Sequence, residues 1–465
     1  MEMEIMPNIT FQTGIWRPVS IEYNQVELQI IGSLPEDLQG LYYRNGPNPF
    51  VLNTPGYHLF DGDGMIHCFN IKEGKAFYSN KWIETEKYTI ESHFKKKIFH
   101  YYREYIEKYA GKISIHGDKS GSANTSIIFF NNKLYALHES SSPIQIDPMT
   151  LKNIGKWDFV GDNSWKIMSA HPKICPITQY LNTYCYEPLK KELTYYCLSS
   201  SGELINFFKI NIPYVPLLIH DFAITKDYVI FIFFPLVVEP SSSENKIHDI
   251  MWRPEYKTLL VVYSKQDGEL ICSHPVYPTY SYHFINAYQE EDFIMIDLFF
   301  YEGDFKNEEF WEPLNKPSVP HRIVLDLKND NLKIEKLAFL SGDFATVEAR
   351  YVGQKYDKFF MCASTLDTRP TFEYNAIIAF DLNTRQHTIF DFGEHAYCSE
   401  PLVVTTSNKT LNNDSRYLLN LVHDNDKNLS QLVIFLADNI EKGPICRLLV
   451  KSRIPFGFHG VWVPS

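Results

Sequence analysis

Four histidines stand in settings that could do chemistry together: His171 in "MSAHPK", His220 in "LLIHDFAIT", His283 in "SYHFINAY" and His459 in "FGFHGVW". Each has apolar or aromatic neighbours at or near the edge of an expected strand, and imidazoles brought to one point suit a divalent transition metal. Taken singly, such a histidine is more often a hydrogen-bonded core residue. Separations of 49, 63 and 176 residues match no local metal motif. His459 also lies only six residues before the end of the sequence, where chains usually fray, so an ionisable ring between Phe458 and Gly460 needs a reason. Other chemistries lack their signatures. There is no G-x-S-x-G, no phosphate-binding Walker loop and no H-E-x-x-H. The eight cysteines include no C-x-x-C pair and read as small buried hydrophobes.

Bringing such distant residues together is a task for the fold. Short runs rich in Tyr, Phe, Ile and Val ("KLYALHE", "YVIFIFFP", "TLLVVYS", "DFIMIDLFFY", "NAIIAFDL") alternate with tight polar turns such as "SKQDGEL" and "DLNTRQ". That is the rhythm of successive antiparallel hairpins, and it predicts an all-β protein. A β-propeller of about seven four-stranded blades, some 65 residues each, fits the length, with a double-sheet sandwich as the other option. In a propeller the innermost strands of different blades meet at the axis, so widely spaced histidines can converge. No WD or kelch repeat marks the blades. One stretch differs: in "ESHFKKKIFHYYREYIEKYAGK", Phe94, Ile98, Tyr102, Tyr105 and Tyr109 recur at helical spacing beside Lys95, Lys96 and Lys97. This predicts a helix with its stripe packed on the body or resting on a membrane.

With 465 residues, 45% hydrophobic and 22% charged, the chain has the composition of a globular protein with ample core. The outlier is aromatic content, 30 Tyr and 33 Phe, which favours strands and large apolar cavities. A net charge of −12 argues against a polyanion-binding surface and excludes nucleic acid as the expected partner. The first residues, "MEMEIMPNIT", carry no signal-peptide pattern, and no apolar run reaches the roughly 18 residues that span a bilayer. A cytoplasmic protein is the expectation.

A series of ordered motifs narrows this reading: "LPEDLQGLYYRNGPNPF" and "YHLFDGDGMIH", then "ALHESSSPIQIDPMTL", "SAHPK", "HDFAITKDYVIF" and "YHFINAY", and finally "CSEPLVV" and "FHGVWVP". Along nearly its whole length the chain resembles the carotenoid cleavage oxygenases. That family includes carotenoid and apocarotenoid dioxygenases, bacterial stilbene-cleaving enzymes and the retinoid isomerohydrolase of the eye. The resemblance implies a seven-bladed β-propeller with a helical and loop cap over its top face, here a single domain over residues 1–465. It implies one iron(II) per chain held by His171, His220, His283 and His459, with dioxygen as co-substrate. Four neutral rings leave the metal's charge unreduced and two octahedral positions open. It further implies carboxylates that orient three of the rings. Glu139 in "HESSSP" and Glu400 in "SEPLVV" match two. Where the family usually reads Glu-Phe-Pro-Arg this chain has "DFAT", so Asp343 stands in with a side chain one methylene shorter; Glu348 is the alternative, and the motif register favours Asp343.

The implied reaction inserts both atoms of dioxygen across a carbon–carbon double bond of an apolar conjugated polyene, giving two carbonyl products. An apolar tunnel would select the substrate. Trp165, Leu218, Tyr282 and Trp462, next to the histidine motifs, are candidates for its lining, although strand alternation turns an immediate neighbour away from an inward histidine. The stilbene-cleaving branch typically places Lys immediately before the ring-orienting Glu, to bind a phenolic hydroxyl. His138 occupies that position, so apocarotenoids become the first expectation. Stilbene cleavage, isomerohydrolysis on the same site and a ligand-binding propeller without catalysis stay open. An apolar substrate also places the Phe94 to Tyr109 stripe, or "FFPLVVEP", near a lipid surface. In "FDGDGMIH", Gly62 and Gly64 are read as turn residues capped by Asp61 and Asp63, with His58 and His67 off the metal.

Overall fold

A computed structural model describes residues 11–52, 57–99, 120–139, 141–161, 166–186, 189–302, 316–366, 372–408 and 413–465. Its sheets form a seven-bladed β-propeller. Five blades are local antiparallel four-strand meanders. They begin at Ser126–Phe130, Lys173–Ile174, Ala223–Ile224, Phe284–Glu290 and Gly342–Thr346, and each runs through four strands consecutive in the chain, save for one inserted hairpin, Leu236–Pro240 with His248–Trp252.

The remaining two blades draw on both ends of the chain. Gly460–Pro464 pairs antiparallel with Gly40–Pro47, in register from Arg44 opposite Gly460 to Gly40 opposite Pro464. Gln29–Gly32 adds to Cys446–Val450 on the last blade. Ladder bonds from each terminus therefore fasten the ring at two seams, which removes the free edges that an open sheet would expose.

The residue pattern explains the layering. Inner strands lie between neighbouring blades, so both faces are covered, and in Phe284–Glu290 the first five residues are all buried. Outer strands have one face in water and alternate, as Leu204–Asn211 does. The aromatic surplus fills the seams between blades: Phe222, Phe231 and Phe233 stack with ring centroids 5.5 and 6.5 Å apart, and Tyr184 meets the first two edge-on. All eight cysteines are free thiols, buried or half-buried.

Of the expected helical stripe only Phe94 and Ile98 lie within the described residues, and the helix found there starts earlier. It runs Glu86–Phe94 and stops at Lys95, whose φ of 51° is left-handed. Beyond it the chain folds back, because buried Glu91 accepts the backbone N–H groups of Ile98 and Phe99 through Oε1 and also pairs with Lys87. Phe94 and Ile98 are exposed but do not share a helical face. Tyr102, Tyr105 and Tyr109 lie outside the described residues. The segment "FFPLVVEP" does not face outward either, since Phe233, Phe234, Leu236, Val237 and Val238 are all buried. Among the described residues no helix is long and apolar enough to cross a membrane.

In the "FDGDG" turn, Asp63 does more than cap. Its carboxylate accepts Phe50 N–H and takes Lys87 Nζ at 2.6 Å, which ties the turn to the helix.

Candidate metal centre

Each of the four histidines sits just before the strand at one end of a different blade's sheet: His171 before Lys173–Ile174, His220 before Ala223–Ile224, His283 before Phe284–Glu290 and His459 before Gly460–Pro464. These strand starts face the axis, and one nitrogen from each ring lies within 4.8 Å of all the others.

Local contacts set each approach. Buried Asp221 accepts Phe284 N–H at 2.9 Å and pairs with Lys173 Nζ at 2.7 Å, so it links the segments that carry His220, His283 and His171. The "RNG" motif clamps the last histidine. Asn45 exchanges backbone bonds with Phe458 and His459 while its amide donates to Ala123 and Ser126 carbonyls, and buried Arg44 donates to Gly457 O. The two segments touch so closely that a Cβ on Gly46 would stand 2.4 Å from Gly457 Cα, and only glycine permits that approach.

Three rings are oriented from behind by carboxylates. His459 Nδ1 donates to Glu400 Oε1 at 2.7 Å, and Glu400 Oε2 accepts Gly460 N–H at 2.9 Å. His283 Nδ1 donates to Asp343 Oδ1 at 2.9 Å. Glu139 Oε1 touches His220 Nδ1, off the hydrogen-bond line. Among the described residues the His171 ring pairs with no carboxylate; its backbone N–H is held by Ser169 Oγ at 3.0 Å. Burial pushes the His171 ring well below its ordinary pKa, and the three neighbouring imidazoles push it further, so it is held neutral. Burial also dominates the lowering at His459, against the pull of Glu400. At His283 burial is outweighed by Asp343, and the imidazole ends up raised. Burial pulls Glu139 upward, but the adjacent His220 holds it at about 2, in its anionic form.

This arrangement fits a metal ion. A neutral imidazole carries one proton, and in His220 and His283 that proton faces a carboxylate from Nδ1, so both Nε2 atoms present bare lone pairs. Those lone pairs confront each other at 3.2 Å, and His220 Nε2 is 3.0 Å from His171 Nε2. Two lone pairs at that distance repel unless a cation lies between them. For metal–nitrogen bonds of about 2.1 Å, ligands at a right angle stand about 3.0 Å apart and at a tetrahedral angle about 3.4 Å. The 3.0 Å contact matches the right angle and the 3.2 Å contact falls between. Both spacings are those of donors that share one metal ion.

Asp343 reaches His283 without an intervening water because the backbone moves toward the ring. The ladder shifts register between Asp343 and Thr346, and Phe344 adopts φ 53°, a β-bulge that re-aims the carboxylate. Glu348 is engaged elsewhere, with Arg416, Arg350 and Thr405. Asp343 is fully buried, so restoring the longer residue should overpack the site. Asp343→Glu is expected to lower stability by about 1–3 kcal/mol in thermal unfolding. An unchanged melting temperature would show that the pocket has room for the extra methylene.

A cavity opens over the cluster. Its apolar wall is Phe60, Leu218, Tyr282, Phe344, Phe372 and Phe458, and its polar wall includes Thr125, His138 and Glu139. Leu218, Tyr282 and His138 thus face the histidines. Trp462 does not. It alternates away along its strand and packs with Leu28, Tyr42 and Phe69 in a separate cluster. Trp165 lies outside the described residues. His67 and His58 stand apart from the centre, bonded to Tyr78 OH at 2.7 Å and Phe60 N at 3.2 Å. Sequence reading missed Asp221, Arg44 and Asn45 as supports. The signal was present, since an Asp, an Arg and an Asn inside otherwise apolar strands ask for buried partners.

Comparison with known proteins identifies the family. The isoeugenol monooxygenase of Pseudomonas nitroreducens is 28% identical, with 97% of each chain aligned. The carotenoid 9,10(9',10')-cleavage dioxygenase 1 of Arabidopsis thaliana is 29% identical over 97% of this chain and 89% of its own. A crystal structure of the Pseudomonas brassicacearum lignostilbene dioxygenase superimposes with a TM-score of 0.87 at 25% identity, covering 99% of both chains. The sequence profile described as retinal pigment epithelial membrane protein matches residues 16–464, so the chain belongs to that family, the carotenoid cleavage oxygenases.

Proposed function

We propose that the protein is a non-haem iron(II) dioxygenase that cleaves a carbon–carbon double bond of an apolar conjugated substrate, apocarotenoids first, to two carbonyl products. The observation that carries this reading is the pair of Nε2 atoms of His220 and His283, bare and facing each other at 3.2 Å with a carboxylate behind each ring, and His171 Nε2 beside them 3.0 Å from His220 Nε2. Iron(II) held by His171, His220, His283 and His459 would supply the binding and activation of dioxygen. The chain's own residues do the rest. Glu139, Asp343 and Glu400 keep protons on the outer ring nitrogens and the lone pairs pointed inward. Phe60, Tyr282, Phe344, Phe372 and Phe458 exclude water and hold a flat conjugated chain against their faces. Both oxygen atoms end in the products, so no general base is required.

A phenylpropanoid substrate is the second reading. It is favoured by His138 and Tyr282 in the cavity wall, which offer hydrogen bonds to a phenol, and by relatives named for isoeugenol and lignostilbene. One experiment separates these outcomes. Protein purified without oxygen is expected to carry about one iron per chain. Under labelled dioxygen, mass spectrometry against apocarotenals, hydroxystilbenes and isoeugenol should show one labelled oxygen in each carbonyl product. A polyene ester added to the panel and converted to an isomerised alcohol and a free acid with no label from the gas would point to isomerohydrolysis, and absence of iron with no turnover to a binding protein.

A further inference from the structure

We infer that Tyr301 is a positioning residue for the metal centre, acting through Asp343 on His283; the inference rests on the metal-centre reading above. The three ring-orienting carboxylates differ in access to water. The Glu139 and Glu400 side chains are 20% and 13% exposed, whereas Asp343 is fully enclosed. A carboxylate shut away from water must find all its donors in the protein. Asp343 finds three: Oδ1 accepts His283 Nδ1–H at 2.9 Å and Phe344 N–H at 2.7 Å, and Oδ2 accepts the Tyr301 hydroxyl at 3.1 Å. Among the described residues Tyr301 OH is thus the one donor to the second oxygen, and it fixes the rotation of the carboxylate that the bulge at Phe344 delivers.

The hydroxyl is itself rigidly placed. Tyr301 ends the strand Phe293–Tyr301, its backbone N–H donates to Tyr280 O at 2.9 Å, its carbonyl accepts Thr279 Oγ1 at 3.2 Å, and its ring packs edge-on against Tyr280 and Tyr282. It lies on the same blade as His283, so the relay from Tyr301 to Asp343 and back to His283 crosses to the next blade and returns. The seam between these two blades is thereby locked at the metal. Glu139 and Glu400 have no such third partner in the described structure, which matches their access to solvent.

Tyr301→Phe keeps the ring packing and removes only the O–H. The probe is cobalt(II), read by competition with a chromophoric chelator and by its visible absorption bands. Tyr301→Phe is expected to bind cobalt about 10-fold more weakly, with shifted bands, because His283 loses its fixed orientation. If Tyr301 acts through Asp343, adding Tyr301→Phe to Asp343→Ala should cost less than about 2-fold more. Losses that multiply in the double variant would mean the Tyr301 hydroxyl acts by a route other than Asp343, and would overturn the inference. So would a Tyr301→Phe protein with wild-type affinity and spectrum. Wild-type protein that takes up no cobalt would overturn the metal-centre reading itself and this inference with it.

Discussion

His459→Ala in the full-length chain is expected to abolish stoichiometric iron binding, from about one per chain to below about 0.1, while leaving the propeller folded. Three imidazoles would remain, but the ring that Glu400 and the Arg44–Gly46 clamp hold at the axis would be gone. Deleting residues 459–465 should do something different in kind. It removes the ligand and also the strand Gly460–Pro464, with its five paired positions along Gly40–Arg44 and the packing of Trp462 and Val463. Losing the half-buried Trp462 together with the buried Val463 costs packing energy, and the unpaired edge of Gly40–Pro47 would be opened as well. The truncated chain should therefore be recovered poorly, or melt well below metal-free wild type. Metal analysis and thermal unfolding of both variants check this. A His459→Ala protein that keeps its iron would remove His459 from the ligand set.

The comparison of those two variants shows why the end of the chain was only half legible in sequence. The strand rhythm could be read because alternation and turn residues are local signals, and they led to the propeller. The histidines could not be grouped from spacing, because convergence at an axis leaves no period in the chain; only the ordered motifs singled them out. Closure of the ring was invisible for the same reason, since Gln29–Gly32 and Gly460–Pro464 find partners hundreds of residues away. The end of the helix Glu86–Phe94 was not legible, because the stop comes with tertiary contacts of Glu91 that no periodicity reveals. Asp343 looked one methylene too short because a side-chain length can be read from sequence and a β-bulge at Phe344 cannot.

Glu400→Gln is expected to weaken iron or cobalt affinity about 10- to 100-fold with little change in fold. Glu400 accepts two donors at once, His459 Nδ1–H on Oε1 and Gly460 N–H on Oε2. An amide has one oxygen and one NH2, so it can satisfy only one of them. If its oxygen faces His459, the NH2 meets the Gly460 N–H at the start of the closing strand, donor against donor. If its oxygen faces Gly460, the NH2 meets Nδ1 of His459, which must then become the acceptor. The ring proton moves to Nε2, and the lone pair that points at the other three imidazoles is lost. Either arrangement damages the centre by a route that volume does not explain, because Gln and Glu are nearly the same size. Competition titration with a chromophoric chelator would measure the loss. Affinity within 2-fold of wild type would mean that the His459 tautomer is set by something other than Glu400.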